Sequence, residues 1–298
     1  MEIDIPNEWG RLEAVVVGHG RSMPPAPTLD TAFDPTSKWH LRQGTYPRHG
    51  EVAAQLDALA DTLAHAGVEV FRPVDIPELE QIFARDVGLV VDGTFIRSRT
   101  IEERKGEWQG VAPLLEGMDW VQLPDNIQLE GGDVIVLDGA LAVGVTQRPE
   151  WSSLKVARTL PPALSYLAET FPDRELIGIE LHKDDEDPLK CALHLDCAYM
   201  PLGGGEAIVC PEAFVEEAQF NTLMSRHSKY ASVSLSEAAA LQSNLLSIAP
   251  DTVLIDPQFK RLGTILADWG YTLLESPMDK VGRMGGLFRC STLPLHRS

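Results

Sequence analysis

The sequence predicts an α/β fold in which five similar units close into a single pseudosymmetric domain, residues 1–298. Hairpins of similar sequence recur along the chain, an amphipathic helical segment follows each of them, and a short β-prone stretch follows each helix. No linker rich in proline, serine and glycine separates the units, which favours one domain over two. A doubly wound nucleotide-binding sheet is the alternative, but no Gly-x-Gly-x-x-Gly follows a strand and opens a helix.

Three hairpins can be aligned on one another. Each begins with an aspartate, runs through β-prone residues, turns at Asp-Gly or Gly-Gly and resumes as a strand; the three begin at Asp86, Asp133 and Asp196. In a radial array of such units, the residues that begin each hairpin converge on the centre. The repeat therefore predicts a site as well as a fold.

Helical segments lie where the repeat requires them. Residues 50–66 place Val52, Leu56, Leu59 and Leu63 on one face, and Gly67 follows as a stop signal before a strand. Similar helix-then-strand units are predicted at 102–118, 152–171 and 212–226. A fifth unit begins at 244–255 and continues into a helix at about 257–268. Residues 20–49 contain five prolines and are predicted to be a long irregular loop, with its role as a lid left open.

Composition narrows the class of protein. The chain is 44% hydrophobic and 23% charged, as in ordinary globular proteins, and its net charge of −19 disfavours binding to nucleic acids or anionic membranes. Residues 1–11 lack the pattern of a signal peptide, and no apolar stretch approaches the roughly 20 residues of a transmembrane helix. The four cysteines include no Cys-x-x-Cys pair, so we expect a cytoplasmic protein with reduced thiols.

The residues at or beside the convergent positions suggest nucleophilic catalysis. Cys290 is a candidate nucleophile and His194 a candidate proton donor, and Glu130 and the aspartates surround them with negative charge. Carboxylates disfavour a thiolate, so the combination makes most sense when the substrate itself is a cation. A guanidinium group suits such a site because carboxylates bind its planar N–H groups in pairs. No metal-ligand spacing is present, and neither a metal nor another cofactor is expected.

Five ordered motifs resemble those of the guanidino-group-modifying superfamily, which comprises arginine deiminases, arginine dihydrolases, dimethylarginine dimethylaminohydrolases and amidinotransferases. They are Asn-Glu-Trp-Gly-Arg-Leu-Glu at 7–13, Phe-x-Arg-Asp at 83–86, Leu-Glu-Gly-Gly-Asp at 129–133, His-Leu-Asp at 194–196 and Gly-Gly-x-x-Arg-Cys-Ser-Thr-Leu-Pro-Leu at 285–295. The resemblance implies a five-bladed α/β-propeller of ββαβ units, in agreement with the repeat.

The resemblance also implies roles for individual residues. Cys290 would attack the guanidinium carbon to form a covalent thiouronium intermediate, and His194 would protonate the leaving amine and then activate water. Glu130 would orient His194 or hold a substrate nitrogen, while Asp86 and Asp196 would bind the guanidinium.

Further assignments concern the edge of the site. Asp133 is a substrate-binding candidate that could equally cap its turn. Arg148 matches an arginine that meets the substrate carboxylate in family members, and Arg99 and Arg104 are weaker candidates for the same role.

The motifs favour a hydrolase of the deiminase or dihydrolase type. Dimethylarginine hydrolases typically carry Glu-Asp where this chain has Arg85-Asp86, and the ending from Arg289 looks more like the hydrolases than the His-Cys ending of amidinotransferases. An amidinotransferase is the alternative, supported by the motif at 7–13, and a non-catalytic arginine sensor is a third possibility. The expected partner is a small cationic guanidino compound, and the sequence leaves open whether the chain forms a homo-oligomer.

Overall fold

The computed structural model describes residues 2–298. Met1, the first residue of the predicted domain and of the N-terminal segment searched for a signal peptide, lies outside the described residues. The strands are β1 (Leu12–Val17), β2 (Glu69–Phe71), β3 (Gly88–Val91), β4 (Thr94–Arg97), β5 (Trp120–Gln122), β6 (Val134–Leu137), β7 (Ala140–Gly144), β8 (Glu175–Ile179), β9 (Tyr199–Pro201), β10 (Glu206–Val209), β11 (Lys229–Ser232), β12 (Leu246–Ala249), β13 (Thr252–Ile255), β14 (Thr272–Glu275) and β15 (Thr292–Arg297).

These strands form five three-stranded sheets: β15-β1-β2, β3-β4-β5, β6-β7-β8, β9-β10-β11 and β12-β13-β14. In every sheet the first two strands are antiparallel and the third is parallel to the second. A helical segment connects the second strand to the third, because a parallel pair needs a crossover. The predicted five-unit α/β-propeller is confirmed.

The first blade joins the two ends of the described chain. Strand β15 pairs with β1 in antiparallel fashion, with Val16 opposite Leu293 and Val17 opposite Thr292, and β2 completes the sheet. The ring is therefore closed by pairing between strands that are far apart in sequence.

The predicted hairpins are β3–β4, β6–β7 and β9–β10, and β12–β13 repeats the arrangement. Their turns use backbone conformations that favour glycine, with φ of 72° at Gly93, 66° at Gly139 and 81° at Gly205. The Asp-Gly and Gly-Gly signals therefore located the turns correctly.

The helices are α1 (Pro35–Arg42), α2 (His49–His65), α3 (Trp108–Val111), α4 (Pro162–Thr170), α5 (Glu217–Met224), α6 (Leu235–Ala239), α7 (Lys260–Asp268) and α8 (Asp279–Gly282). The predicted apolar face of α2 is confirmed, since Val52, Leu56, Leu59 and Leu63 are all buried.

Proline explains where the helix predictions were too long. The segment 152–171 is helical only in α4, which begins at Pro162, because proline fits the first turn of a helix but not its interior. In 102–118 short 3₁₀ turns flank α3, and Pro113 lies in the first turn of the second of them, Ala112–Leu115. The segment 20–49 was predicted to be irregular, which is wrong for α1: Asp34 caps this helix by accepting a hydrogen bond from the Ser37 amide at 2.7 Å.

Across residues 2–298, no helix combines the length and apolarity needed to cross a membrane.

Candidate active site

Five residues lie at corresponding positions just before the first strand of each of the five blades, a position that we call the strand entrance. Asp86 lies two residues before β3, Asp133 one before β6, Asp196 three before β9, Asn244 two before β12 and Cys290 two before β15. Each blade therefore contributes one polar side chain. This arrangement follows from the repeat, because every unit enters its first strand from the same end of the ring.

The sulfur of Cys290 contacts residues of two other blades, those that begin with β9 and β12. Its Sγ accepts a hydrogen bond from Asn244 Nδ2 at 3.1 Å and is 3.8 Å from both carboxylate oxygens of Asp196. Asn244 Oδ1 in turn accepts from the amides of Cys290 at 3.1 Å and Leu287 at 3.2 Å. The amide of Asn244 thus fixes both the backbone and the sulfur of the candidate nucleophile.

The turn before Cys290 requires glycine. A Cβ at position 286 would lie 2.4 Å from a ring carbon of Phe83 and 2.7 Å from Cys290 Cβ. Since real Cβ atoms do not approach other atoms so closely, the second glycine of the Gly-Gly motif gives Cys290 room to reach the centre.

Several neighbours raise the pKa of Cys290 well above that of an ordinary thiol. Its hydrogen bond with Cys197 has the largest effect, followed by burial and by the negative charge of Asp196. At neutral pH the sulfur is therefore a thiol when no cation is bound.

His194 is buried and held by carboxylates on two sides. Its Nε2 forms a hydrogen bond with Glu130 Oε2 at 2.9 Å, and its Nδ1 lies 3.6 Å from Asp86 Oδ1 with no hydrogen-bond partner. Burial alone would lower the pKa of His194, but the carboxylates of Asp86, Asp133 and Glu130 outweigh it and raise the pKa to about 10. The ring is therefore an imidazolium at neutral pH, with Nδ1 available as a proton donor.

Three carboxylates of the site are each paired with a buried arginine. Arg104 Nη1 is 2.5 Å from Asp86 Oδ2, Arg158 Nη1 is 3.1 Å from Glu130 Oε2, and Arg289 Nη1 is 2.8 Å from Asp196 Oδ2. These pairs reduce the cost of burying the acids. They leave Asp86 Oδ1 beside His194 and Asp196 Oδ1 beside the sulfur of Cys290.

Asp133 lies behind His194 and holds the turn that follows it. Its Oδ1 accepts a hydrogen bond from the amide of Leu195 at 3.0 Å, and a Cβ at Gly144 would lie 2.2 Å from the same oxygen. Burial raises the pKa of Asp133. The contact joins Asp133 to another blade and not to its own turn, and binding of substrate by Asp133 stays a prediction.

The other arginine candidates are distributed differently. Arg148 is partly exposed, with its guanidinium 5.1 Å from the centre of the Trp151 ring and 3.2 Å from Glu216, so it is not among the buried groups. Arg99 lies near the surface and pairs with Asp125 at 2.6 Å. Arg104 contacts Asp86, as described above, and also Glu107.

A cavity of about 390 Å³ opens near Arg148 and reaches the site at Cys197. Cys197 Sγ is 3.6 Å from Asp196 Oδ1, so this side chain connects the cavity to the buried carboxylate. The lining includes apolar and charged groups, among them Trp151, His182, Lys190, Cys191, Leu235 and Ala238.

Comparisons with known proteins agree with this geometry. In sequence the chain is 28% identical to the uncharacterized protein YkgA of Bacillus subtilis over 100% of this chain and 99% of that protein. It is 26% identical to the bifunctional arginine dihydrolase/ornithine cyclodeaminase AgrE of Nostoc, over 77% of this chain and 31% of that much longer protein. No protein-family model matches the chain.

Solved structures decide the fold. The inosamine-phosphate amidinotransferase StrB1 of Streptomyces griseus superposes with a TM-score of 0.78 at 19% identity, covering 99% of this chain and 97% of that chain. Unliganded AgrE superposes with a TM-score of 0.77 at 20% identity, covering 96% of this chain and 40% of that chain. The chain has the fold of the guanidino-group-modifying superfamily. Both amidinotransferases and arginine dihydrolases of that superfamily resemble it, so the fold does not separate the two reactions.

The sequence analysis missed several residues of the candidate site. Asn244 had a usable signal, because it begins the fifth repeat where three other repeats begin with aspartate. Arg158 lies outside the motifs and had no signal. Glu8 belongs to the motif at 7–13, but that motif does not indicate its contact with Arg289, 281 residues away.

Replacing Asn244 by alanine is expected to destabilise the protein by about 1–3 kcal/mol, because the amides of Cys290 and Leu287 lose their buried acceptor. Urea unfolding measures the change. Asn221, which is exposed on α5, provides the matched control, and Asn221→Ala should stay within about 0.5 kcal/mol of the parent. Equal stability of the two variants would contradict the anchoring role of Asn244.

His194 should make stability depend on pH at alkaline values. Its folded-state pKa of about 10 exceeds the ordinary value of 6.5, so its contribution is complete below 6.5 and is lost as the pH rises to about 10. The free energy of unfolding should therefore fall more steeply from pH 7 to pH 10 in the parent than in His194→Asn. Denaturant titrations at both pH values give the comparison. The control is His65→Asn, at an exposed position of α2, which should keep the parental dependence of stability on pH.

Proposed function

We propose that this chain is an enzyme that hydrolyses the guanidino group of arginine or a related compound through a covalent intermediate on Cys290. Residues 1–298 act as one catalytic domain in the cytoplasm. The observation that supports the proposal is a thiol beside the carboxylate of Asp196 and an imidazolium beside the carboxylate of Asp86, with both carboxylates at strand entrances.

The charges of the site fit a flat cation. Asp86 and Asp196 each keep one carboxylate oxygen that is not paired with an arginine, and these oxygens face His194 and Cys290. A guanidinium bound between them would bring its carbon to the sulfur. Its positive charge would also lower the pKa of the thiol, so that the nucleophile forms when substrate is present.

The chemical steps follow from the protonation states. When the cation binds, the thiol of Cys290 releases its proton to solvent and the thiolate sulfur bonds to the guanidinium carbon. His194 then transfers the proton on Nδ1 to the departing nitrogen as the carbon–nitrogen bond breaks. The neutral imidazole then takes a proton from water, which attacks the thiouronium carbon and releases the sulfur. Glu130 positions the ring through its bond to Nε2 and favours the imidazolium.

The cavity beside Cys197 offers space for the rest of the substrate. Its volume of about 390 Å³ accommodates a chain attached to the guanidinium. Trp151 lines this cavity and Arg148 lies against the Trp151 ring, which supports the prediction that Arg148 meets a substrate carboxylate.

A hydrolase of the deiminase or dihydrolase type is favoured over the alternatives. In support, the sequence relative with a stated activity, AgrE, is described as an arginine dihydrolase. The fold of StrB1 keeps an amidinotransferase as the second candidate, in which an amine replaces water in the last step. An arginine sensor would use the aspartates without needing Cys290.

Product analysis by mass spectrometry tests the proposal. The panel contains arginine, methylated arginines, agmatine and guanidinoacetate, each with and without glycine or lysine as acceptor. Citrulline identifies a deiminase, ornithine without citrulline accumulation a dihydrolase, and a new guanidino compound that needs the amine a transferase. Absence of any product from the whole panel, with binding retained, would overturn the enzymatic proposal in favour of a sensor.

A further inference from the structure

A second cysteine lies beside the candidate nucleophile and has no part in the mechanism above. Cys197 follows directly after Asp196, and its sulfur is 3.6 Å from Asp196 Oδ1. The sulfurs of Cys197 and Cys290 and a carboxylate oxygen of Asp196 all lie within 4.8 Å of one another. Two cysteines, each two residues before the first strand of its blade (β9 and β15), thus lie beside the same carboxylate.

The separation is short enough for a covalent bond. A disulfide needs sulfurs about 2.05 Å apart, so the two atoms must approach by roughly 3 Å or less, a movement that rotation of cysteine side chains can supply. Both side chains are buried, at 6% exposure for Cys197 and 3% for Cys290. Burial keeps large reagents away from the pair.

Small reagents have a route to it. Cys197 is part of the lining of the 390 Å³ cavity, where His182, Lys190 and Glu212 are also found. A molecule the size of a hydroperoxide can therefore reach the sulfur of Cys197 from the side where we place the substrate.

We propose that Cys197 and Cys290 form a reversible intramolecular disulfide when a hydroperoxide enters this cavity. With hydrogen peroxide, one thiolate attacks an oxygen, the O–O bond breaks, and a sulfenic acid and a hydroxide result; the hydroxide takes a proton from solvent to give one water. The second sulfur attacks the sulfenic sulfur, the S–O bond breaks, and the disulfide and a second water form. Two thiols lose two electrons in total, and the peroxide accepts them.

The reaction should accelerate with pH. Burial and the hydrogen bond with Cys197 raise the pKa of Cys290, so the thiolate fraction is small at neutral pH and grows as the pH rises. A faster reaction at pH 9 than at pH 7 is the expected direction. The consequence for turnover rests on the proposed function, because a sulfur held in a disulfide cannot attack a guanidinium carbon.

The test oxidises the full chain with hydrogen peroxide at pH 7 and pH 9, then alkylates the denatured protein with iodoacetamide. The expected product is 2 Da lighter before alkylation and takes two alkyl groups fewer than the reduced protein. Trypsin cuts after Lys190 and Arg289, so the disulfide should link the peptides 191–226 and 290–297, and fragmentation should place it at Cys197. Dithiothreitol should restore the reduced mass.

Variants make the assignment specific. Cys191→Ser, which removes another cysteine of the same cavity, should keep the crosslink. Cys197→Ser should lose it and instead accumulate sulfinic or sulfonic acid at Cys290, which dithiothreitol does not reverse. Over-oxidation of Cys290 in the parent without a crosslink, or a link from Cys191, would overturn the inference.

The mass readout separates this inference from the proposed function. A parent protein that forms the crosslink but acts on no guanidino compound would contradict only the proposed function. A parent protein that is active but forms no crosslink would contradict only the disulfide inference. When both hold, the oxidised parent should keep less than about a tenth of the reduced activity and regain it with dithiothreitol.

Discussion

Cys290→Ala is expected to lower turnover of the guanidino substrate by about 10⁴-fold or more while leaving substrate binding intact. The variant removes the atom that forms the covalent bond, and the carboxylates of Asp86 and Asp196 that would hold the cation stay in place. Single-turnover kinetics measure the first effect and calorimetric titration of the substrate the second.

The matched control is Cys210→Ala. Cys210 is buried in the core, outside the cavity lining and away from the strand entrances, so its replacement should change turnover by less than about threefold. Retention of turnover in Cys290→Ala would exclude the covalent mechanism. Retention of binding, with no turnover by the parent either, is the result expected of a sensor.

Arg289→Met is expected to destabilise the fold by about 3–5 kcal/mol, the usual effect of removing one member of a buried charge network. Arg289 Nη2 is 2.8 Å from Glu8 Oε1 and its Nη1 is 2.8 Å from Asp196 Oδ2, with all three side chains buried. The pKa of Glu8 is about 2: burial opposes ionisation, but Arg289 and Arg85 outweigh it. Glu8 is therefore charged at neutral pH and would be left without its main partner.

Urea unfolding at neutral pH measures the loss, and Arg261→Met is the matched control. Arg261 pairs with Glu237 at 2.7 Å on the surface, where such pairs contribute about 1 kcal/mol or less. Adding Glu8→Gln to Arg289→Met should recover part of the stability, because it removes one of the uncompensated charges. Similar losses for the Arg289 and Arg261 variants would contradict the role assigned to the network.

Much of the fold could be predicted because its signals are local. The Asp-Gly and Gly-Gly turns sit at positive φ and the apolar face of α2 follows the helical period, so neighbouring residues suffice to locate them. The errors occurred where one proline overrode a longer amphipathic pattern, as in the segment that became α4.

The internal repeat predicted part of the candidate site. Counting repeats identified the entrances at Asp86, Asp133 and Asp196, and the motifs added Cys290 and His194. The arginines that neutralise the acids were not anticipated, since Arg158 reaches Glu130 across 28 residues and Arg289 reaches Asp196 across 93. No local pattern encodes which of several arginines folds inward to meet a given carboxylate.

Pairing of β15 with β1 has a consequence for how the molecule is made. During translation, β1 has no antiparallel partner in the first blade until residues 292–297 emerge. These residues follow every other strand of the ring. Cys290 precedes that last strand by two residues, so the candidate nucleophile reaches its place only after the other four blades have been synthesised. A nascent chain released early would be left with an open ring and without its reactive sulfur.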